Sequence, residues 1–510
     1  MDADVTALAL TPQTLQLAAL QSGGRGDVFA RAHEAVRPSR SRKMAVDWGS
    51  GNAIVGMDAK QLRDSARALC RDHDLAKSVL SVLVQNVIGT GIDVIPAPRK
   101  SGGDVDRALA QDLRDLWWDW WDRPEVTWQH DFGKCQQLLM AGYVRDGESF
   151  FQSLIGPVAW LDHGTSVPYS LELLEADLVP LDMSDDAKRI VQGAELNAWR
   201  RVVAWHVLKH HPGDRGWYRN DTKRVPGEQL LQFANIERVN QVRGLSVFAP
   251  VMNRLRDIQD YEDSERIAAK VAASLCAQII KGDPASYGQV NAADVVDAAA
   301  GAAERAYRAL TMVPGMIADD LLPGERVEIL DSKRPNPNIA GYINDQVRRV
   351  AGGTGVSHSS ASRNYEGTYS SKRQELVEIW GAYAMLREQF TARCMRPVWR
   401  DFVHSCLLGG LVKPPRGWTA REVMAAAYIG PVMPWIDPVK EAMARGEAED
   451  RGWQAPQQSI LQMGNDPEEV IRLRQDWSAM SPPAAAPATP DSASASVRSR
   501  ALANYLLEDA

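Results

Sequence analysis

The feature that most restricts the fold is a helical pattern from Ser246 to Ile280, roughly 34 residues long, whose apolar side chains recur mostly at steps of three or four. Pro250 is compatible with such a helix only in its first turn. A straight helix of this length would span about 50 Å. Long helices with a narrow apolar stripe and charged flanks normally pack beside other helices or beside copies of themselves. The middle of this one is densely charged, with Arg254, Arg256, Asp257, Asp260, Glu262, Asp263, Glu265 and Arg266.

Helical patterns and a β-rich region precede this helix. Helices are predicted within Met57–Val87 and at Val105–Trp121 and Phe132–Gly147, and Gly89 with Gly91 ends the first pattern. Short β-rich runs separated by turn residues follow at Ser149–Leu154, Ser170–Leu174, Ile190–Val191, Val202–Leu208 and Gln229–Phe233. These patterns predict an α+β fold that is predominantly helical.

A small module and a short helix follow the long helix. The module is predicted to contain an Ala-rich helix at Ala292–Leu310 and strands at Thr311–Ile317 and Arg326–Leu330. Asn336–Pro337 is typical of the start of a helix, with proline at the first helical position. The glycines of Gly352–Gly353–Thr354–Gly355 are expected to end this short helix and to act as a hinge at Gly352, Gly353 and Gly355.

A polar loop and a second long helix come next. Val356–Asn364 is rich in serine, and we predict a mobile loop that can project into solvent. Ser371 and Gln374 match a capping box that would start the second long helix, and Pro397 is expected to kink its far end. The first 45 residues resemble an arm rather than a domain, and the Pro/Ala/Ser-rich tail after 480 is predicted to stay disordered.

Charge and composition exclude several classes of protein. The net charge of -7 and pI of 5.8 disfavour a tight, static DNA binder, because phosphate neutralisation needs Lys and Arg. Five scattered cysteines without a CxxC motif argue against both a disulfide framework and a zinc site. No apolar run of membrane-spanning length occurs, and Asp2 and Asp4 do not suit a signal peptide. We expect a soluble protein made inside the cell, with the Trp117–Trp128 cluster buried between elements or subunits.

Motifs for catalysis or for cofactor binding are missing from the sequence. No P-loop, G-x-S-x-G or H-E-x-x-H pattern occurs. His210–His211 beside Asp214 invites a metal interpretation, but neighbouring strand residues point to opposite faces and no third ligand stands at a useful spacing. We therefore predict no enzyme activity, no cofactor and no metal.

Six segments, in order, resemble the lambda-type family of bacteriophage portal proteins over about residues 25 to 475. The resemblance lies in the residues of Leu62–Leu69, Asn86–Ile92, Arg145–Phe150, Val202–Val207, Gln241–Ser246 and Asn364–Arg373. It implies a portal fold with an α/β wing, a two-helix stem, a small α/β clip, a tunnel loop and a long kinked helix. The implied parts are an arm at 1–45, wing 46–245, first stem helix 246–281, clip 282–337, second stem helix 338–352, tunnel loop 353–369, long wing helix 370–410, crown-like region 411–480 and tail 481–510.

The resemblance also implies a function in the virion. Copies of the chain would form a ring, typically of about twelve subunits, at one capsid vertex after assembly in the host cytoplasm. Double-stranded DNA would pass through its channel during packaging and ejection. The implied partners are the large terminase subunit, the major capsid protein and the head-completion or tail-connector proteins, with no membrane involved.

Residue roles follow from the same resemblance. The DNA-facing tunnel loop would present Ser357, His358, Ser359, Ser360, Arg363 and Asn364. Basic residues nearby would be Arg348, Arg349, Lys372 and Arg373. Separately, we hypothesise that charge complementarity among the eight charged residues from Arg254 to Arg266 helps to set helix register between subunits. Few cations near the DNA suit a conduit, because firm contacts from every subunit would hold the duplex.

Two alternatives remain open at this stage. One is another capsid or connector assembly protein with a helical stalk but without a DNA channel. The other is a nucleic-acid-processing enzyme such as a nuclease, which the missing carboxylate–metal pattern disfavours.

Overall fold

The computed structural model describes residues 49–100, 102–214, 221–274, 278–280, 326–328, 338–435 and 437–480. The helices are α1 Gly51–Asp72, α2 Asp74–Val87, α3 Arg107–Trp121, α4 Phe132–Asp146, α5 Met252–Ser274, α6 Ile339–Thr354, α7 His358–Ser362, α8 Tyr369–Phe390, α9 Arg396–Leu408, α10 Ala420–Val423, α11 Pro438–Asp450, α12 Pro456–Gln462 and α13 Pro467–Met480. The strands are β1 Asp93–Pro96, β2 Glu148–Ile155, β3 Tyr169–Leu174, β4 Ile190–Val191, β5 Ala194–Leu196, β6 Val202–Leu208, β7 Thr222–Pro226, β8 Leu230–Ala234, β9 Gln278–Ile280, β10 Arg326–Glu328 and β11 Ala426–Ile429. The predicted α+β class is confirmed.

A three-stranded antiparallel sheet in the order β3–β2–β8 lies at the centre of the fold. Its two faces contact different cores, because successive strand residues point to opposite sides. Phe151 packs into a large core that α1 to α4 and α9 also line, whereas Phe150 packs into a smaller core with Trp205. The sheet therefore separates a helical layer from a second, four-stranded sheet in the order β4–β5–β6–β7.

Tryptophans of α3 anchor the helical layer. Trp117 and Trp120 are fully buried and stack at 5.0 Å, and Trp120 stacks on Tyr169 of β3 at 5.2 Å. The Trp120 indole N–H donates to the Tyr169 carbonyl oxygen at 2.9 Å, which satisfies its polar atom. The expectation that this cluster is buried holds for Trp117, Trp120 and Trp121, whereas Trp118 and Trp128 are exposed.

The long helix predicted from Ser246 is shorter in the structure. Backbone bonds from the Ala249 N–H to the Ser246 oxygen and from the Val251 N–H to the Phe248 oxygen form turns before α5 begins at Met252. Pro250 lies in these turns, and its missing N–H removes a helical donor there. At the other end the chain leaves the helix after Ser274 and forms β9, which pairs antiparallel with β10. Apart from β10, the predicted module at 282–337 lies outside the described residues.

The second long helix is interrupted. Thr368, not Ser371, is the N-cap of α8, and its hydroxyl accepts from the Ser371 N–H at 3.4 Å. A π-helical turn at 391–395 joins α8 to α9, immediately before Pro397. Proline lacks the N–H of a regular helix, so the irregular turn accommodates the break. The departure from a regular α-helix therefore lies just before Pro397, where the sequence predicts a kink.

The remaining expectations concern cysteines and membrane spans. Cys70, Cys135, Cys394 and Cys406 are free and buried, and burial raises the pKa of the Cys406 thiol to about 12. Cys276 lies outside the described residues. Among the helices in the described ranges, none has the length and apolar character needed to cross a bilayer.

Candidate functional site

The segment between α6 and α8 holds the residues that were predicted for the tunnel loop, together with Gly355. Gly355 ends α6 in the left-handed conformation with φ of 70°, as predicted for a helix-terminating glycine. Gly352 and Gly353 instead lie inside the last turn of α6, so the hinge at these positions stays a prediction. A Cβ atom at Gly353 would lie 2.6 Å from Val251 Cγ1, so this glycine lets α6 approach the start of α5 closely.

The polar residues after Gly355 are folded into the protein. Ser357 is the N-cap of the short helix α7, and its hydroxyl accepts from the Ser360 N–H at 3.2 Å. Ala361 is buried, and its carbonyl oxygen accepts from the Ser78 hydroxyl at 2.8 Å. The predicted mobile loop is therefore wrong for 357–362, because serines that favour turns also satisfy the donors of a helix N-terminus. Among residues 356–368, the exposed ones are Arg363 and 365–368.

Glu375 of α8 fastens α7 to the long helix. Its Oε1 accepts from the Ser357 hydroxyl at 2.6 Å and from the Ser359 N–H at 3.0 Å. Its Oε2 accepts from the Ser359 hydroxyl at 2.7 Å and lies 3.5 Å from Lys372 Nζ. Burial opposes ionisation, but these hydrogen bonds and the Lys372 charge outweigh it and lower the pKa of Glu375 to about 2. The carboxylate is thus an ionised anchor for the segment.

His358 is held on the other side of α7. Its Nε2 lies 3.2 Å from Asn344 Oδ1 on α6. Burial, followed by the charge of Arg348, lowers the pKa of His358, and the charge of Lys372 acts in the same direction. The imidazole is therefore neutral at physiological pH and acts as a packed polar group rather than as a cation that could contact DNA.

The basic residues of the region differ in their availability. Arg363 is exposed at the end of α7 in the left-handed conformation, with φ of 56°. Arg349 and Arg373 are exposed on α6 and α8, and Arg348 forms a solvent-exposed pair with Asp345 at 3.5 Å. Lys372 turns inward to Ser359 and Glu375. Asn364 accepts from the Glu366 N–H at 2.9 Å and so shapes the exposed turn.

The charged residues of α5 divide into internal contacts and a surface face. Arg254 donates to Gln346 of α6, and Arg256 donates to the Ser65 hydroxyl of α1 at 3.1 Å. Glu265 is buried, and Asp263 pairs with Arg266 on the same helix. Asp257, Asp260 and Glu262 are exposed, and burial with the charge of Asp74 raises the pKa of Glu262. Arg254, Arg256 and Glu265 therefore contribute to contacts within this chain. The exposed carboxylates of Asp257, Asp260 and Glu262 could contact another subunit.

Three of the family-like segments meet in a buried charge cluster that the sequence did not predict. Glu148 pairs with Arg243 at 2.7 Å and with Arg63 at 2.8 Å, and none of the three is accessible to solvent by more than 1%. Burial would raise the pKa of Glu148, but the two guanidinium groups hold it below its usual value. Arg67 and Arg145 extend the network to Asp146 and Asp177. The partners are 85 and 95 residues apart in sequence, so spacing could not reveal them.

A possible cation site was dismissed from sequence because no third ligand was visible. The structure brings Glu175, Asp177 and His211 together, with ligand atoms within 4.8 Å of one another. However, Arg67 lies 2.5 Å from Asp177 and 4.0 Å from Glu175. A guanidinium therefore already neutralises these carboxylates, and the arrangement does not favour a metal ion.

Comparison with known proteins gives consistent names. The family model described as phage portal protein, lambda family, matches residues 37–387. The probable portal protein of Halomonas phage phiHAP-1 is 24% identical over 443 residues, covering 83% of this chain and 80% of that protein. Portal protein B of Escherichia phage lambda is 23% identical over 313 residues, covering 56% of this chain and 57% of that protein. A chain in the neck of a native gene transfer agent particle shows 12% identity at a TM-score of 0.46, covering 81% of this chain and 94% of that one.

Proposed function

The chain belongs to the lambda family of phage portal proteins, and from this premise we propose that copies of it form a ring-shaped channel for double-stranded DNA at one capsid vertex. The single observation that carries the proposal is the family match over residues 37–387, which spans the wing-like layers, α5, α6 and the segment fastened by Glu375. The ring would also be the docking platform for the terminase and for the head–tail connector proteins. Its role in the virion is structural, without catalysis.

The parts of the fold are assigned as follows. Residues 49–245 form the wing, and α8 and α9 belong to its long helix. The antiparallel pair α5 and α6 forms the stem, joined by contacts such as Tyr261 with Tyr342 at 5.0 Å between ring centroids. The β9–β10 pair begins the clip. Residues 355–368 form the channel-facing segment, and 411–480 the crown-like region.

The charge distribution supports a conduit that does not grip DNA. Within residues 356–368 of the channel-facing segment, Arg363 is exposed and makes no ion pair with the described residues. His358 is neutral and Lys372 is engaged by Glu375. One exposed guanidinium in residues 356–368 of each subunit gives weak phosphate contacts that exchange during movement, whereas several firm contacts per subunit would cause a steep, salt-dependent affinity.

The decisive experiment is imaging combined with a packaging assay. Purified protein is expected to give end-on electron micrographs of closed rings with a central opening of duplex width. Capsids assembled with this protein are expected to package DNA, and capsids assembled without it are not. A protein that stays monomeric under assembly conditions, or a ring whose centre is closed by folded protein, would exclude the channel role. Rings found in capsids that need no such ring to package DNA would indicate a connector instead.

A further inference from the structure

The turn between β5 and β6 presents a tryptophan to solvent in a fixed position. The Trp199 side chain is 91% exposed. Asn197 Oδ1 accepts from the N–H groups of Trp199 and Arg201, both at 2.9 Å, and the Asn197 N–H donates to the Arg201 oxygen at 2.9 Å. Such a closed set of bonds fixes the backbone of the turn. An indole held out of the protein in this way is typical of an anchor for a partner surface.

The surroundings of Trp199 are rich in cations. The Leu196 N–H donates to the Arg189 oxygen at 3.0 Å. This bond brings the turn before β4 beside the turn between β5 and β6. Arg189 and Arg200 are exposed and make no ion pair with the described residues. Lys188 and Arg201 lie 3.7 Å from Asp185 and Glu228, in pairs weakened by solvent. The group Lys188, Arg189, Trp199, Arg200 and Arg201 is called the basic tip.

An acidic face lies on α3. Four aspartates at steps of three and four are exposed on the side of the helix opposite Trp117, and they are called the acidic stripe: Asp112, Asp115, Asp119 and Asp122. Asp115 accepts from Gln111 at 2.7 Å and Asp119 from Ser166 at 3.2 Å, but no cation of the described part pairs with any of the four. Like charges at this spacing repel one another along a helix and destabilise it. Trp118, 44% exposed, borders the stripe.

The elements that carry the two surfaces pack on opposite faces of the central sheet. Trp120 places α3 against the face of the central sheet that carries Tyr169 and Phe151. Phe150 and Trp205, in edge-to-face contact at 5.1 Å, place the four-stranded sheet against the other face. A closed ring needs two different, complementary surfaces that point away from each other, so that each subunit meets one neighbour on either side.

We infer that the basic tip of one subunit binds the acidic stripe of the next copy of this chain. Arg189 and Arg200 pair with carboxylates of the stripe, and Trp199 packs beside Trp118, which gives the contact an aromatic centre with a charged rim. The partner is a second copy of this chain, because the chain itself carries both surfaces. Their charges are opposite, each includes an exposed tryptophan, and the elements that carry them pack on opposite faces of the central sheet. The inference rests on the proposed ring and names a contact that holds it together.

Charge reversal on one surface tests this contact, and charge reversal on both surfaces should restore it. Arg189→Glu with Arg200→Glu is expected to raise the protein concentration for half-maximal ring formation at least tenfold, measured by mass photometry. Asp115→Lys with Asp119→Lys is expected to do the same. A one-to-one mixture of the two variants should restore rings, because acidic tips then meet basic stripes and basic tips meet acidic stripes. All four substitutions in one chain should restore rings as well.

Controls separate this contact from the ring itself. Lys413→Glu with Arg416→Glu makes the same charge change at exposed positions that belong to neither surface and should leave assembly unchanged. Trp199→Ser replaces an exposed side chain without changing the net charge, so the protein should still fold. It therefore tests the contact even if a charge-reversed variant fails to fold. If the parent forms rings and both Trp199→Ser and the reversed variants form them equally well, the inference is wrong while the channel proposal stands. If the parent forms no rings, the proposed function fails first.

Discussion

Glu148 and Arg243 meet at 2.7 Å, and neither side chain has any surface accessible to solvent. The Gly244 N–H also donates to Glu148 Oε2 at 3.2 Å, and Arg243 donates to the carbonyl oxygens of Gln192 and Ala176. This pair connects β2 to the chain that leads into α5, and Arg63 attaches α1 to the same carboxylate. The central sheet, α1 and the segment that leads into α5 are therefore linked through one buried carboxylate.

Replacing that anion should be severely destabilising. Glu148→Gln leaves the Arg63 and Arg243 charges buried without their main counter-charge, so we expect the free energy of unfolding to fall by about 3 to 5 kcal/mol. Glu172→Gln is the matched control, because Glu172 pairs with Lys223 at 3.3 Å near solvent, and its loss should cost about 1 kcal/mol or less. Chemical denaturation measures both. Equal effects of the two substitutions would show that the buried cluster does not hold β2, α1 and the segment before α5 together.

The glycine beside this cluster should be equally restrictive. Gly147 has φ of 88°, and a Cβ atom there would collide with the Leu245 backbone. Gly147→Ala should therefore lower the free energy of unfolding by at least about 2 kcal/mol, through conformational strain and displacement of 245–246. Gly341→Ala is the control, since this helical glycine has open space around it and alanine should stabilise α6 by about 0.5 to 1 kcal/mol. Thermal denaturation would contradict the prediction if Gly147→Ala melts at the parent temperature.

The carboxylate of Glu375 should control the order of residues 357–361. Glu375→Gln keeps the shape but weakens three charge-assisted hydrogen bonds, so hydrogen exchange at 357–361 should accelerate about tenfold. Glu378→Gln, exposed on the same helix, should change nothing at 357–361. Unchanged exchange in both variants would mean that packing of Ala361, rather than Glu375, holds α7.

The same group gives a pH dependence with a definite sign. The folded pKa of Glu375, about 2, lies below its ordinary value of 4.5. Its stabilising effect is therefore complete above pH 4.5 and is lost as the pH falls towards 2. The protection of 357–361 against exchange, taken relative to the intrinsic exchange rate at each pH, should fall over this window more in the parent than in Glu375→Gln. Identical pH profiles for the two proteins would contradict the assignment.

Local patterns in the sequence predicted the helices and strands, but contacts between residues far apart in the sequence could not be predicted from it. The strands at Ile190–Val191 and Val202–Leu208 have their predicted bounds, because alternating or β-branched residues mark them. The strand Thr222–Pro226 was missed, since its Lys and Arg follow the pattern of a solvated turn. Ser357 and Ser359 were named as loop residues because nothing in the sequence shows that Glu375, 16 to 18 positions later, accepts their hydrogen bonds.

Arg363 offers the most direct test of contact with DNA. The left-handed backbone conformation of Arg363 is unfavourable for arginine, so Arg363→Gly should fold and assemble at least as well as the parent. The substitution removes the exposed positive charge of residues 356–368. If Arg363 contacts phosphates in the channel, the affinity of rings for a short duplex should fall, and the dependence of log K on log salt should become shallower. Fluorescence anisotropy over a salt series measures both. Arg224→Ala, which removes a cation paired with Glu195 on the four-stranded sheet, should leave the slope unchanged. An unchanged slope for Arg363→Gly would place this side chain outside the path of the DNA, because a lost phosphate contact must release fewer counterions.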